Sequence, residues 1–278
     1  MSFNLHFIGI AAENWQVAFQ YYTEKMGLNS PDQNPVYGNW ALMGRNHDAY
    51  NNTSVVLKFE LFDNGKTPSG GWEWGVTQGY RPGFFVDDLS DAMQTLQSRG
   101  IEFSSEIVST RWGRHIEFKA AEGLRWTLEE APELLGGNGD GFAEPNIGCV
   151  RLKSADLAAQ KAFYHGLLGM AVLYEDDHII ALQRCDGEPY LFLEASGARG
   201  QKIERGYQQG YEIVDGQFAL QGVWISFSVD DLTAHASRLR AAGVDILQDA
   251  TVHDDWEGVD MLIRDPDGSI MQIVQYLY

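Results

Sequence analysis

The chain has 278 residues, enough for two domains, and a formal net charge of −19 at pH 7. A surface this acidic repels nucleic-acid phosphates and anionic lipids, which argues against both as partners. No apolar stretch reaches the roughly 18 residues that a membrane span needs. The two cysteines, Cys149 and Cys185, form no CxxC motif, which favours a reducing compartment. These features predict a cytoplasmic protein.

The first half of the chain predicts two units with the order strand, helix, strand, strand, strand. The first helix spans about Trp15–Met26, has an apolar face and ends at Gly27. The second helix, Leu89–Arg99, can be capped by Asp87 or Asp88. The predicted strands lie near Leu5–Ala11, Tyr37–Met43, Ser54–Phe62, Gly83–Val86, Ile101–Val108, His115–Ala120 and Arg125–Glu130.

The second half of the chain repeats this pattern. FFVDDLSDAMQTLQSRGIEF at Phe84–Phe103 returns as FSVDDLTAHASRLRAAGVDI at Phe227–Ile246, which indicates a duplicated domain. Helices are predicted at about Asp156–Leu168 and Leu232–Ala242. The predicted strands lie near Gly148–Leu152, Ile179–Arg184, Tyr190–Ala195, Val223–Val229, Asp245–Gln248, Val259–Arg264 and Ile270–Tyr276.

A glycine-rich stretch, residues 133–145, separates the two halves. We interpret it as a linker between a first domain, residues 1–132, and a second domain, residues 146–278. Two long loops, Asn64–Tyr80 and Ser196–Gln221, join the units within each half. Loops of this length are often lids or binding loops.

The four units resemble the vicinal oxygen chelate superfamily, which includes glyoxalase I, extradiol dioxygenases and bleomycin resistance proteins. The resemblance depends on Ala162-Phe163-Tyr164, on Leu168-Gly169-Met170, and on the sequence RDPDG at Arg264–Gly268 before an apolar strand. It implies an α+β fold of two tandem domains. In each domain, two β-α-β-β-β units would form an open, mostly antiparallel, barrel-like sheet. Whether the units pair within the halves or across them stays open.

The resemblance also implies metal ligands on the first and last strands of each unit, of the types that suit Fe, Mn, Ni or Zn. In the second half, the matching positions hold Cys149, Glu194, Trp224 and Gln272, which is at most half a site. In the first half, a metal site would need His6, Glu60 and Glu129 to converge. Neither half keeps a full set of four ligands.

Aromatic and arginine side chains supply the material for a metal-free binding cleft. Alternation along the strands predicts one shared face for Arg81 and Phe85, and for Cys149 and Arg151. Trp112 and Trp256 recur at matching places in the two halves. Indole rings stack on flat ligands, and guanidiniums attract anions. The candidate ligand-binding residues are Trp40, Arg81, Phe85, Trp112, His115, Arg151, Trp224, Trp256 and Gln272.

The sequence thus predicts a binding protein for an aromatic or partly anionic small molecule, without a catalytic metal. The alternative is an enzyme with a divalent metal held by a half-site around His6. Such an enzyme would be a glyoxalase-like lyase or isomerase, or an extradiol-type dioxygenase. A homodimer is possible in either case.

Overall fold

The structure is a computed structural model that describes most of the chain. The described residues are 4–12, 15–28, 36–37, 40–43, 56–61, 80–103, 105–121, 125–132, 146–183, 190–195, 205–208, 211–214, 217–219, 223–254 and 257–277. The linker, Trp256 and most of the loop Asn64–Tyr80 lie outside these residues.

Helices form where the apolar periodicity predicts them. They are α1 (Trp15–Glu24), α2 (Leu89–Ser98), α3 (Leu157–Lys161, continued by a π-helical turn at Ala162–Leu167) and α4 (Leu232–Ala241). No helix in the described residues is long and apolar enough to cross a membrane.

Strands make up most of the remaining structure. The first half contains β1 (Asn4–Ala12), β2 (Val36–Tyr37), β3 (Trp40–Met43), β4 (Val56–Leu61), β5 (Tyr80–Phe85), β6 (Val108–Thr110), β7 (Gly113–Lys119) and β8 (Arg125–Glu130). The second half contains β9 (Asn146–Ser154), β10 (Ala171–Glu175), β11 (Ile179–Gln183), β12 (Tyr190–Ala195), β13 (Arg205–Gln208), β14 (Tyr211–Val214), β15 (Gln217–Ala219), β16 (Val223–Ser228), β17 (Ile246–His253), β18 (Gly258–Arg264) and β19 (Ile270–Tyr276).

Each large sheet combines one unit from each half of the chain. The first sheet has the order β17-β18-β19-β16-β1-β4-β3-β2, and the second has the order β10-β11-β12-β9-β5-β8-β7-β6. The antiparallel pairs β1–β16 and β5–β9 join the halves at the centres of these sheets. This pairing answers the question that the sequence left open. The predicted α+β fold of barrel-like, mostly antiparallel sheets is confirmed.

One prediction for the long loops needs correction. Within Ser196–Gln221, for which the sequence predicts no strands, β13, β14 and β15 form a small antiparallel sheet of their own.

In several units an aspartate caps the start of the helix and a glycine follows its end. Asp88, Asp156 and Asp231 cap α2, α3 and α4 by accepting hydrogen bonds from backbone N–H groups of the first turn. After the helices, Gly27, Gly100, Gly169 and Gly243 all have φ between 74° and 82°. Other residues avoid this left-handed conformation, so glycine ends each helix at little cost.

The helix-bearing faces of the two sheets share one apolar cluster that contains residues of all four units. Trp126 of β8 is fully buried there, stacks on Phe84 with 4.8 Å between ring centroids, and donates to the hydroxyl of Tyr22 at 2.9 Å. The shared core therefore separates the two helix-free faces from each other.

A buried chain of hydroxyls also ties three units together. Tyr80 lies 2.9 Å from the hydroxyl of Tyr164, which donates to Asp265 at 3.1 Å. Asp265 belongs to the RDPDG turn between β18 and β19, where its other oxygen accepts from the backbone N–H groups of Asp267 and Ser269. The turn that carries the resemblance is thus also a contact between units.

We expect the two halves to depend on each other for folding, because each sheet needs a unit from both. Fragments 1–132 and 146–278, expressed together with a tag on one of them, should copurify as one complex. Each fragment expressed alone should show loss of tertiary structure by near-ultraviolet circular dichroism. Two fragments that fold separately and do not associate would contradict the pairing across halves.

We also expect the titration of Asp265 to make the free energy of unfolding depend on pH. Burial raises the pKa of this carboxyl to about 6, above its usual 3.8. The folded state then holds the proton more tightly than the unfolded chain, so stability from this group rises as the pH falls through 6 towards 4. Between pH 7 and 4, wild type should gain on the order of 2–3 kcal/mol of unfolding free energy relative to Asp265→Asn. Urea unfolding at several pH values measures this difference, and a constant difference would contradict the assignment.

Candidate ligand-binding faces

The centre of the second sheet's helix-free face is closely packed around Gly83. A Cβ at Gly83 would lie 2.2 Å from the Thr127 hydroxyl and 2.6 Å from the Cys149 sulfur, so only glycine fits between them. Burial, followed by the negative charge of Glu129, raises the pKa of the Cys149 thiol well above its usual value. Cys149 therefore remains a protonated thiol in this face, and the thiolate that a metal ligand needs is disfavoured.

Beside this centre, Arg151 forms a buried ion pair across the β9–β5–β8 region. Its Nε donates to Glu129 at 2.6 Å and one terminal nitrogen donates to the other Glu129 oxygen at 2.8 Å, which is a bidentate geometry. Arg151 also donates to Glu194 of β12. Burial alone would lower the pKa of Arg151, but Glu129 and Glu194 outweigh it, so the guanidinium stays charged.

Arg81 extends this network to a third carboxylate, Glu117. It donates to both Glu194 and Glu117, and Glu117 also accepts from Arg125. Burial alone would raise the pKa of Glu194, but Arg151 and then Arg81 lower it below its usual value. Each guanidinium on this face is thus paired with carboxylates, and the shifts of Arg151 and Glu194 favour their charged forms.

His115 lies at the edge of the same network and is neutral. Its Nδ1 is 3.3 Å from a terminal nitrogen of Arg151, which has only donors to offer. Burial, and then the charge of Arg151, lower the pKa of His115. Nδ1 is therefore the acceptor, and the proton resides on Nε2. Arg114, the neighbouring residue in sequence, points to the other face and pairs with Glu130.

A row of aromatic rings continues the face beyond the ion network. Neighbouring centroids are 5.6 Å apart for Phe85 and Tyr190, 6.0 Å for Tyr190 and Phe192, 5.7 Å for Phe192 and Trp112, and 5.0 Å for Trp112 and Tyr174. We call these five residues the aromatic row. Trp112 is buried, and its indole N–H has no hydrogen-bond partner among the described residues. Arg151 lies over the ring of Phe192 at 4.9 Å, which joins the row to the ion network.

The helix-free face of the first sheet carries a different, polar cluster. Asp260 accepts from the side-chain amides of Gln272 and Gln248 and lies 2.9 Å from Nε2 of His253. Ser226 pairs with Gln272 across β16 and β19, and its buried hydroxyl has no partner in the described residues. Trp224 lies across β1, where a Cβ on Gly9 would be only 1.9 Å from the ring.

The structure places the predicted site residues in two groups. Arg81, Phe85, Trp112, His115 and Arg151 come together on the second sheet. Strand alternation predicts the shared face of Arg81 and Phe85, but it made no prediction for Trp112 or His115. Trp224 and Gln272 lie on the first sheet. Trp40 lies on β3 opposite Glu60, and Trp256 lies outside the described residues.

The predicted convergence of His6, Glu60 and Glu129 is wrong. His6 and Glu60 are on β1 and β4 of the first sheet, whereas Glu129 is on β8 of the second sheet. Both oxygens of Glu129 already accept from Arg151. This set of three residues requires the first and second units to share a sheet, whereas the sheets pair across the halves.

Sequence reasoning missed at least five contributors to these faces, namely Tyr174, Tyr190, Phe192, Glu117 and Asp260. Tyr190 and Phe192 were assigned to a strand without a face, although they alternate with buried leucines and precede Glu194 in the same register. That alternation was a usable signal. Glu117 and Asp260 gave none, because a single acidic residue in a strand more often faces solvent.

Four β-α-β-β-β units that pair into two open sheets define the fold class of this protein. Residues 146–273 match the family profile described as Glyoxalase/Bleomycin resistance protein/Dioxygenase superfamily. This match in the second half of the chain bears out the resemblance recognised in the sequence.

Solved structures extend the likeness to the whole chain. An E144Q mutant of glyoxalase I from Zea mays is 16% identical, with a TM-score of 0.70 over 99% of this chain and 94% of that chain. A putative dioxygenase from Bacillus subtilis subsp. subtilis str. 168 is 11% identical, with a TM-score of 0.66 over 99% and 85% of the two chains. At these identities the likeness shows the fold alone. No curated protein sequence matches the chain.

Divalent metals are common in this superfamily, so the fit of the faces to such an ion can be tested. On the second sheet, a metal would meet the guanidiniums of Arg81 and Arg151, which already bind the available carboxylates. Among the described residues, no cluster of three or more His, Cys, Asp or Glu side chains could hold a metal as it stands. The second face as built does not fit a divalent metal.

We expect Arg151→Ala to destabilise the fold by about 3–5 kcal/mol, because Glu129 would be left buried without a counter-charge. The matched control is Arg114→Ala, which also breaks an Arg–Glu pair, but one whose arginine is 42% exposed. Solvent screens that pair, so its loss should change the unfolding midpoint little. Urea unfolding of the two variants measures the contrast, and equal losses would contradict the importance of the buried pair.

Proposed function

We propose that this protein binds a planar aromatic small molecule along the aromatic row of the second sheet, without a divalent metal. The observation that carries the proposal is the buried Trp112 indole N–H, which lacks a partner among the described residues and lies within a row of stacked rings. A buried donor without an acceptor costs about 1–3 kcal/mol, which a ligand acceptor would recover.

The exposure of the row supports an aromatic ligand. Phe85, Tyr174 and Tyr190 are partly exposed, whereas Trp112 and Phe192 are buried behind them. The partly exposed rings offer the surface for stacking, and the buried rings fix their positions. Offset-stacked and edge-to-face pairs of this kind gain about 0.5–1.5 kcal/mol beyond area burial.

The charges support a neutral ligand more than the partly anionic one that the sequence predicts. Among the described residues, Arg81 and Arg151 make hydrogen bonds to Glu117, Glu129, Glu194 and His115. A ligand anion would have to displace one of these carboxylates. A hydroxyl, ether, carbonyl or ring nitrogen can instead accept from the indole N–H of Trp112 or from Nε2–H of His115.

The enzyme alternative is not favoured. It required a metal half-site around His6 with Glu60 and Glu129, and these residues are divided between the two sheets. Similarity to glyoxalase I at 16% identity supports the fold and does not carry that activity to this chain.

Two bicyclic probes, quinoline and 2-naphthol, test the proposal by isothermal titration calorimetry. We expect saturable binding that is weakened roughly three- to tenfold by Trp112→Phe, which keeps the ring stacking and removes the N–H donor. Trp224→Phe is the matched control, because it makes the same change on the first sheet and should leave the affinity unchanged. Loss of affinity only in Trp224→Phe would move the site to the first sheet, and no saturable binding of either probe would count against the proposal.

A further inference from the structure

One edge of the Arg264 guanidinium makes no hydrogen bond. At the end of β18, its Nη1 donates to Asp245 at 3.0 Å. Its Nε and Nη2 are buried, and neither has a hydrogen-bond partner among the residues that the structure describes. The side chain of Arg264 is 11% exposed, whereas that of Asp245 is 60% exposed. The ion pair is therefore with a solvated carboxylate, and the two buried donors stay unused.

Two other arginines show what this edge of a guanidinium binds in the same protein. Nε and Nη2 of Arg151 donate to the two oxygens of Glu129 at 2.6 and 2.8 Å. Nε and Nη2 of Arg114 donate to the two oxygens of Glu130 at 3.2 and 2.6 Å. Two parallel N–H groups match the two oxygens of one carboxylate. The same pair of donors on Arg264 is therefore arranged to bind a carboxylate.

Arg264 lies on the helix-free face of the first sheet, apart from the aromatic row. Its neighbour Ile263 belongs to the shared apolar core, and successive side chains of a strand point to opposite faces. The hydroxyl of Ser226, on the same face, is also buried and has no hydrogen-bond partner in the described part of the chain. This face thus contains buried polar groups that the described residues do not satisfy.

The charges near Arg264 leave room for an anion. Asp260 lies four residues earlier on β18, about 13 Å along the strand, and it is the acceptor of the polar cluster on this face. Water screens the pair between Arg264 and the exposed Asp245. The guanidinium of Arg264 therefore differs from that of Arg151, which buried carboxylates already neutralise.

We infer that Nε and Nη2 of Arg264 form a binding site for the carboxylate of a small organic acid. Both carboxylate oxygens accept from this edge, while Nη1 keeps its pair with Asp245. The single charge of a carboxylate matches one guanidinium, whereas a phosphate group carries nearly two charges at pH 7. This inference does not depend on the ligand proposed for the aromatic row, which lies on the other sheet.

Cyclohexanecarboxylate and its neutral amide test the inference on the full-length protein by isothermal titration calorimetry. These probes have no aromatic ring, so they do not stack on the aromatic row. We expect saturable binding of the carboxylate at pH 7, and binding at least tenfold weaker for cyclohexanecarboxamide, which lacks the charge and one acceptor oxygen. Inorganic phosphate should also bind more weakly than the carboxylate.

Variants of Arg264 separate its charge from its geometry. Arg264→Lys keeps the charge but loses the pair of N–H groups, and it should bind the carboxylate at least threefold more weakly. Arg264→Gln should lose at least tenfold. The matched control is Arg240→Gln, because Arg240 pairs with Asp249 on the surface of the same unit, and its affinity should equal that of wild type.

The aromatic row provides a second control. Trp112→Phe should leave the affinity for cyclohexanecarboxylate unchanged while it weakens the binding of quinoline. Failure of one proposal is therefore distinguishable from failure of the other.

Nuclear magnetic resonance gives a direct measurement at the proposed donor. In ¹H–¹⁵N spectra of arginine side chains, the Nε–H signal of Arg264 can be assigned by its loss in Arg264→Lys. We expect this signal to shift during the carboxylate titration, with the dissociation constant that calorimetry gives, because Nε–H donates to the ligand. The Nε–H signal of Arg240 should stay in place.

Several outcomes would overturn the inference. They are absence of saturable carboxylate binding, wild-type affinity in Arg264→Lys, an unshifted Arg264 Nε–H signal, and tighter binding of phosphate than of the carboxylate. Should the Arg264 variants fail to fold, Asp245→Asn decides. It removes a negative charge beside the site and should tighten carboxylate binding about two- to threefold, so an unchanged affinity would also overturn the inference.

Discussion

The structure depends on two antiparallel strand pairs that join the halves of the chain. β1 pairs with β16 and β5 with β9, and each pair lies at the centre of an eight-stranded sheet. The helices add contacts in another direction, since Tyr22 of α1 bonds Trp126 of the second unit and Tyr164 bonds Asp265 of the fourth. Sheets therefore connect the halves, and these two contacts of the helices connect units within each half, whereas Tyr164 also bonds Tyr80 of the other half. A duplicated chain of this kind behaves as one cooperative structure.

Much of the fold follows from local sequence signals. The aspartates before the helices and the glycines after them fix the helix ends without reference to the rest of the molecule. Strand alternation also placed Arg81 and Arg151 on one face. The pairing of units had no local signal, because either arrangement buries the same apolar faces. Strand alternation could therefore predict which residues of one strand share a face. It could not predict which strands share a sheet, and the expected convergence of His6 and Glu129 failed for that reason.

The two copies keep their framework and differ on the helix-free faces. The side chain of Glu130 accepts a hydrogen bond from the backbone N–H of Leu89, and the side chain of Gln275 accepts one from the backbone N–H of Leu232. Both copies thus have the same hydrogen bond between the last strand and the start of the helix. On the helix-free faces, one sheet carries guanidiniums, carboxylates and stacked rings, and the other carries an Asp260 cluster of amides and an imidazole. Substitution on these faces leaves the shared core undisturbed, because the core lies on the other side of each sheet.

The buried ion network explains why the second face is suited to recognition by rings. Charges in a buried place must be paired, and here each guanidinium is paired with carboxylates from other strands of the same sheet. Such a network gains little from a further charged partner, since any new ion must break an existing pair. The aromatic row has no such constraint, because its partly exposed rings gain contact area from any flat ligand, and Trp112 offers a donor that only an acceptor can satisfy. Because the charged side chains of this face are already paired with each other, the groups left to bind a ligand are the aromatic rings and the hydrogen-bond donor of Trp112.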